Sequence, residues 1–212
     1  MGTGKADAGS ARPGVGTRVT LLPGRGGRLL HGTVAAVDDD GVKVHLPAGP
    51  PAHRIPHGTP VWMTARGPDE GTLTAYRGVA APPGDLRGEI RLTDLVLLVD
   101  EPRRTALRVT AERPILLIRP GRSSRATTTI DLSSTGCRVA MRPEQPLARG
   151  ETLLVAVVVD HGGAVWADGQ VVRVDEAQHE AALRFTRVEP SDAERLDRRV
   201  LSVLSSSTEA DR

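Results

Sequence analysis

From Gly14 to Phe185 the chain runs in short stretches that alternate apolar with polar residues and end on glycine or proline. A two-residue period lines one face of a strand, whereas a helix needs apolar residues three and four apart. Thr17 to Leu22, Leu29 to Val37, Val42 to Leu46, Thr59 to Ala65, Gly71 to Gly78 and Leu86 to Val99 read this way, and so does most of the chain from Val109 to Phe185. With 23 Gly and 16 Pro in 212 residues, turns interrupt the chain throughout. Aromatic residues are 2% of the chain, so Val, Leu, Ile and Ala must build its cores; at 39% hydrophobic, they suffice. The fold class is all-β.

The strands divide into two small β-barrels in tandem. Residues 1–13 are glycine, alanine, serine and charge, and are expected to form a disordered tail. Residues 14–97 hold the first barrel of five to seven strands, with a tight turn at Asp38-Asp39-Asp40-Gly41. Asp100-Glu101-Pro102 marks the boundary, since proline breaks a strand. Residues 98–205 hold the second barrel, with six strands predicted at Val109 to Ile118, Arg125 to Leu132, Cys137 to Met141, Thr152 to Val159, Ala164 to Val174 and Glu180 to Phe185. Asp160-His161-Gly162-Gly163 is a hairpin signal. Pro190 ends the sheet, and Ser191 to Glu194 reads as a capping box that opens a helix over 191–204. Its stripe of Ala193, Leu196, Val200, Leu201, Val203 and Leu204 is expected to cover the end of the second barrel. Residues 206–212 are a polar tail.

Several function classes drop out on composition. The net charge is +2, and Lys5 and Lys43 are the only lysines. No basic block and few aromatic platforms are present, which disfavours a nucleic-acid binder. Cys137 stands alone, so no internal disulfide forms, and a reducing cytoplasm is the expected location. It alternates with Val139 and Met141 as a small buried residue. Met1 to Gly14 has no apolar core for a signal peptide, and the run Leu153 to Val159 is too short to span a bilayer, so no membrane insertion is expected. Pro23 to Gly27 lacks the Gly-Lys-Ser/Thr of a phosphate loop. His53 and His57 have helical spacing, but Pro51 and Pro56 forbid the helix, so no metal site is expected. No nucleophile elbow or paired acid nominates an enzyme. Trp62 and Trp166 are expected as core or interdomain filler.

Two pieces remain that carry chemistry. Arg103-Arg104-Thr105-Ala106-Leu107-Arg108 offers three guanidiniums, and Asp131-Leu132-Ser133-Ser134-Thr135-Gly136 offers a carboxylate, hydroxyls and a glycine at a strand-to-strand bend. Guanidinium forks grip phosphate oxygens and stack on flat rings, while a carboxylate only accepts hydrogen bonds. The serine hydroxyl suits either a ligand or its own turn, and Gly136 either a close backbone approach or a positive φ. Taken singly, each piece also reads as a solvated basic linker or a side-chain-stabilised turn. Together they suit a ligand with planar rings and phosphates.

The spacing Arg104-x-x-x-Arg108 followed by Asp131-x-Ser133-x-x-Gly136 resembles the signature of the PilZ domain, a bacterial receptor for cyclic di-GMP, over roughly residues 98–205. The preceding barrel, opening at Gly16-Thr17-Arg18-Val19, resembles that of flagellar-brake proteins of this class. The resemblance implies that Arg104 and Arg108 clamp phosphate and stack on guanine with Arg103 assisting, that Asp131 and Ser133 hold the guanine edge, and that Gly136 allows the bend. It implies two stacked ligands, because an arginine precedes the first motif, and a protein partner in motility, a flagellar motor or another effector target. One position departs from the pattern: Ala182 replaces the glycine of a run common on the last strand, which weakens binding if the ligand needs that space. A ligand-free PilZ scaffold and an arginine-using RNA- or DNA-binding barrel are the alternative readings.

Overall fold

The structure is a computed structural model, and it describes residues 12–24, 27–47, 55–66, 72–82, 88–102, 106–121, 124–144, 146–161 and 163–210. It contains two compact units, Met1–Thr105 and Ala106–Arg212.

The first unit is a closed six-strand barrel of β1 (Arg18–Pro23), β2 (Leu30–Asp38), β3 (Gly41–His45), β4 (Pro60–Arg66), β5 (Thr72–Ala80) and β6 (Glu89–Pro102). The strands follow the order β1-β2-β3-β6-β5-β4, and β4 returns antiparallel to β1. Alternation sends Val19, Leu21, Val34, Val42, Val44, Val61, Met63 and Leu92 inward, around Tyr76. Trp62 is also buried, as expected of core filler.

Two readings of this half need correction. β6 runs through the stretch taken as the boundary, and Pro102 pairs with Thr72 as its last residue. A strand end tolerates proline, because a missing ladder donor costs least there. Arg12 and Pro13, expected in the tail, are also held by this unit. Arg12 donates to the backbone carbonyls of Asp38 and Asp39, and Pro13 is buried; residues 1–11 lie outside the described residues. His57 bonds the Ala80 carbonyl through Nδ1 at 3.1 Å, and His53 lies outside the described residues.

The second unit contains β7 (Arg108–Thr110), β8 (Pro114–Ile118), β9 (Arg125–Ser133), β10 (Gly136–Ala140), β11 (Thr152–Asp160), β12 (Gly163–Asp175), β13 (Glu180–Val188) and α1 (Pro190–Ala210). The sheet order is β10-β13-β12-β11-β8-β9-β7, and β10 comes back to pair with β9. That last pairing closes a ring of six. The predicted strand Val109 to Ile118 is two strands, split at residues 111–113 and both laid along β9. The break is stitched by Thr129, whose hydroxyl donates to the Ala111 carbonyl and accepts the Arg113 N–H at 3.0 Å. The expected hairpin pairs Asp160 with Gly163.

The helix starts one residue before its expected cap and ends six residues late. Pro190 is its first residue, a position where an N–H has no helical partner and proline's fixed φ is an advantage. Glu194 pairs with Arg198 at 3.0 Å instead of closing a capping box. Leu196, Val200 and Leu201 are buried, and α1 packs on β7, β9, β11 and β12, so the apolar stripe covers the barrel as expected. Arg195 ties the helix to the β11–β12 hairpin through Asp160 at 2.7 Å and the Gly163 carbonyl at 2.8 Å. Trp166 is not filler. It lies on the outward phase of β12 between buried Val165 and Ala167 and is 48% exposed.

Candidate functional site

The two chemistry-bearing pieces meet at β9. Ser133 and Gly136 flank a two-residue turn, Ser134-Thr135, and form the last pair of the β9–β10 ladder. On the other side of β9, Arg108 lies opposite Ser133 and Thr110 opposite Asp131. Leu132, Cys137 and Val109 point into the core, so their neighbours Asp131, Ser133, Arg138 and Arg108 share the outer face. Arg103 and Arg104 lie outside the described residues.

Asp131 is the centre of this face. Its side chain is 9% exposed, although it is a carboxylate on an outward position. Burial of a charge needs partners, and two arginines supply them. Arg138 donates from its backbone N–H to Oδ1 at 3.1 Å and from Nε to Oδ2 at 2.9 Å. The Arg108 Nε stands 3.6 Å from Oδ1, which is ion-pair range without a hydrogen bond. Arg138 reaches on to Glu180 of β13, with Nη1 donating at 2.8 Å. Burial works against the Arg138 charge, but the charge and hydrogen bond of Asp131, and then those of Glu180, outweigh it and raise its pKa.

Ser133 uses its hydroxyl on its own turn. Oγ donates to the Gly136 carbonyl at 2.9 Å and accepts the Thr135 N–H at 3.3 Å. Of the two roles open to it from sequence, the structure shows the turn. Gly136 is settled likewise. Its φ is not positive, but a Cβ there would lie 2.2 Å from the Leu183 carbonyl oxygen, so glycine is needed for the close approach of β10 to β13. Ala182 faces Arg138 across the ladder and is half-buried.

Sequence reasoning passes over Arg138 and Glu180. The alternation that makes Cys137 and Val139 core residues also turns Arg138 outward, directly opposite Asp131 in the ladder, so a signal for Arg138 is present. Glu180 is 42 residues from Arg138, and only the β10–β13 pairing brings the two together. Cys137 is buried as expected. Desolvation pushes its thiol far up, the Asp131 charge adds to this, and Arg108 opposes it, so the residue is no nucleophile at neutral pH. Among the described residues no cluster of metal-ligating side chains occurs, and no helix is long and apolar enough to cross a membrane.

Comparison with known proteins places a name on this half of the chain. The family model described as the PilZ domain matches residues 102–202. No curated protein sequence matches the chain. Among solved structures, the Bacillus subtilis inhibitor of motility (MotI/DgrA) is similar at 16% identity and a TM-score of 0.43, over 94% of this chain and 99% of that one. Escherichia coli YcgR in complex with c-di-GMP is similar at 16% identity and a TM-score of 0.45, over 92% and 87%. The K. pneumonia MrkH–c-di-GMP complex is similar at 12% identity and a TM-score of 0.44, over 92% and 90%. With the complete two-part signature, the match over residues 102–202 and the six-strand ring closed at β9–β10, this chain carries a PilZ domain, preceded in sequence by a second β-barrel.

Proposed function

We propose that this protein is a cytoplasmic receptor for cyclic di-GMP, and that the ligand occupies the outer face built on β7, β9 and β10. The observation that carries this reading is the meeting of Arg108, Asp131 and the Ser133–Gly136 hairpin on one face, from two segments far apart in sequence. A guanidinium in loose contact with a carboxylate is a cation ready to be taken by phosphate. Asp131, freed of Arg108, then accepts from the N–H edge of guanine, while Ser133 holds the hairpin under it. Arg103 and Arg104 complete the clamp and follow β6 directly in sequence. Binding that engages these residues would change how the two barrels are arranged and which surface a protein partner meets, in motility or flagellar control.

Calorimetric titration with cyclic di-GMP tests the reading. Saturable binding that is weakened in Asp131→Ala is expected. Absence of binding by the unsubstituted protein would leave a PilZ scaffold without ligand. Binding of oligonucleotides with a steep salt dependence in its place would point to a nucleic-acid barrel.

A further inference from the structure

Asp131 is held by two arginines in different ways. Arg138 makes two hydrogen bonds to it, one to each carboxylate oxygen, and so fixes the plane of the group. Arg108 attracts it from 3.6 Å without bonding it. Arg138 is itself anchored at its far end by Glu180, so the chain of contacts Asp131–Arg138–Glu180 crosses the three strands β9, β10 and β13. We propose that Arg138, braced by Glu180, is the positioning residue that aims the Asp131 carboxylate, and that guanine specificity at this site depends on it. The inference rests on the receptor reading and extends it to a residue outside the signature.

The two modes of contact divide the work. Guanine presents two adjacent donors, N1–H and the amino group, where adenine presents an acceptor between its amino group and C2–H. A carboxylate reads two parallel donors only when its plane is fixed before binding, since free rotation spreads its acceptors over many directions. The backbone N–H and Nε of Arg138 fix it from the β10 side and leave lone pairs on both oxygens. Arg108 is free to move to a phosphate, because it loses no hydrogen bond in leaving. If Arg138 is removed, Arg108 becomes, among the described residues, the cation left beside a mostly buried carboxylate. It is then drawn into full pairing and withdrawn from the ligand, so both halves of recognition suffer at once. Glu180 prevents the alternative in which Arg138 itself swings out to solvent or to the ligand. The raised pKa of Arg138 agrees with a guanidinium held between two carboxylates.

The test is a double-mutant cycle read by calorimetry with cyclic di-GMP and cyclic di-AMP. Arg138→Met is expected to weaken cyclic di-GMP binding at least tenfold and to lower the affinity ratio between the two ligands. Asp131→Ala is expected to cost several-fold less in the Arg138→Met background than alone. Arg138→Lys restores little, since an ammonium cannot bond Asp131 and Glu180 in the forked geometry of a guanidinium. Glu180→Gln changes the ratio in the same direction by a smaller factor, and it serves where Arg138→Met does not fold. A residue that only supported the fold would lower both affinities alike. An unchanged ligand ratio and full additivity with Asp131→Ala, in a protein that binds cyclic di-GMP, would overturn the inference alone. No binding by the unsubstituted protein would overturn the receptor reading and this inference with it.

Discussion

Gly136→Ala is expected to destabilise the second barrel by about 2–3 kcal/mol, through the backbone rather than through any ligand. The added Cβ would lie 2.2 Å from the Leu183 carbonyl oxygen and 3.3 Å from the Arg184 Cα, and none of these atoms belongs to a side chain that can turn away. Opening the gap to ordinary contact distance moves one strand by roughly 1 Å. Overpacking of that kind costs about 1–3 kcal/mol. The shift also stretches the ladder around Gly136↔Arg184 and the Phe185 N–H bond to the Thr135 carbonyl, at 2.9 Å, and each such bond contributes about 1 kcal/mol. Alanine restricts the unfolded chain more than glycine and returns about 0.4–1 kcal/mol. Cys137 supplies the assay, because it is the chain's sole cysteine, is 1% exposed and adjoins the substitution. Its labelling by a thiol reagent across a urea series reports opening of this barrel only. Gly163→Ala is the control: nothing lies near its Cβ, and its φ of 95° alone sets a cost of about 1–2 kcal/mol. A Gly136→Ala labelling midpoint equal to that of the unsubstituted protein would refute the close-approach argument.

Four further outcomes are expected. Arg108→Ala weakens cyclic di-GMP binding by about 1.5–3 kcal/mol in calorimetry, and Arg108→Lys does not restore it, because lysine lacks the fork and the stacking face. The same titration saturates at two ligands per chain, with Arg103 supplying the extra cation that two close-packed dinucleotides need; saturation at one ligand would remove that role. Spin-label distances between the two barrels change on saturation with cyclic di-GMP, and an unchanged distribution would exclude the interdomain mechanism. Burial raises the Cys137 pKa in the folded state, so the stability contributed by the neutral thiol is whole below the ordinary thiol value of about 8.5 and falls as pH rises above it; native alkylation should accordingly stay slow between pH 8 and pH 10 (about the range where a free thiol ionises).

The strand pattern, the pair of barrels and the signature were legible because each is local. Alternation alone assigns Leu132 to the core and Asp131 and Ser133 to the outer face, whatever strand lies beside them. The helix stripe was legible for the same reason, at a period of 3.6 residues. Its ends were not: Pro190 opens the helix and residues past 204 prolong it, since caps compete with several neighbouring residues of similar strength. Which faces meet is beyond any local pattern. Trp166 is exposed because its phase on β12 points outward, and no local rule overrides that phase for a large apolar residue. Val109 to Ile118 reads as one run, yet Thr129 from β9 takes the backbone groups on both sides of the break and divides it. Arg138 meets Asp131 only through the β9–β10 ladder, and Glu180 only through β10–β13. Sequence specifies which side of its own strand each residue faces. Pairing between strands decides its neighbours: β7–β9 brings Arg108, β9–β10 brings Arg138 and β10–β13 brings the distant glutamate to the face of the carboxylate.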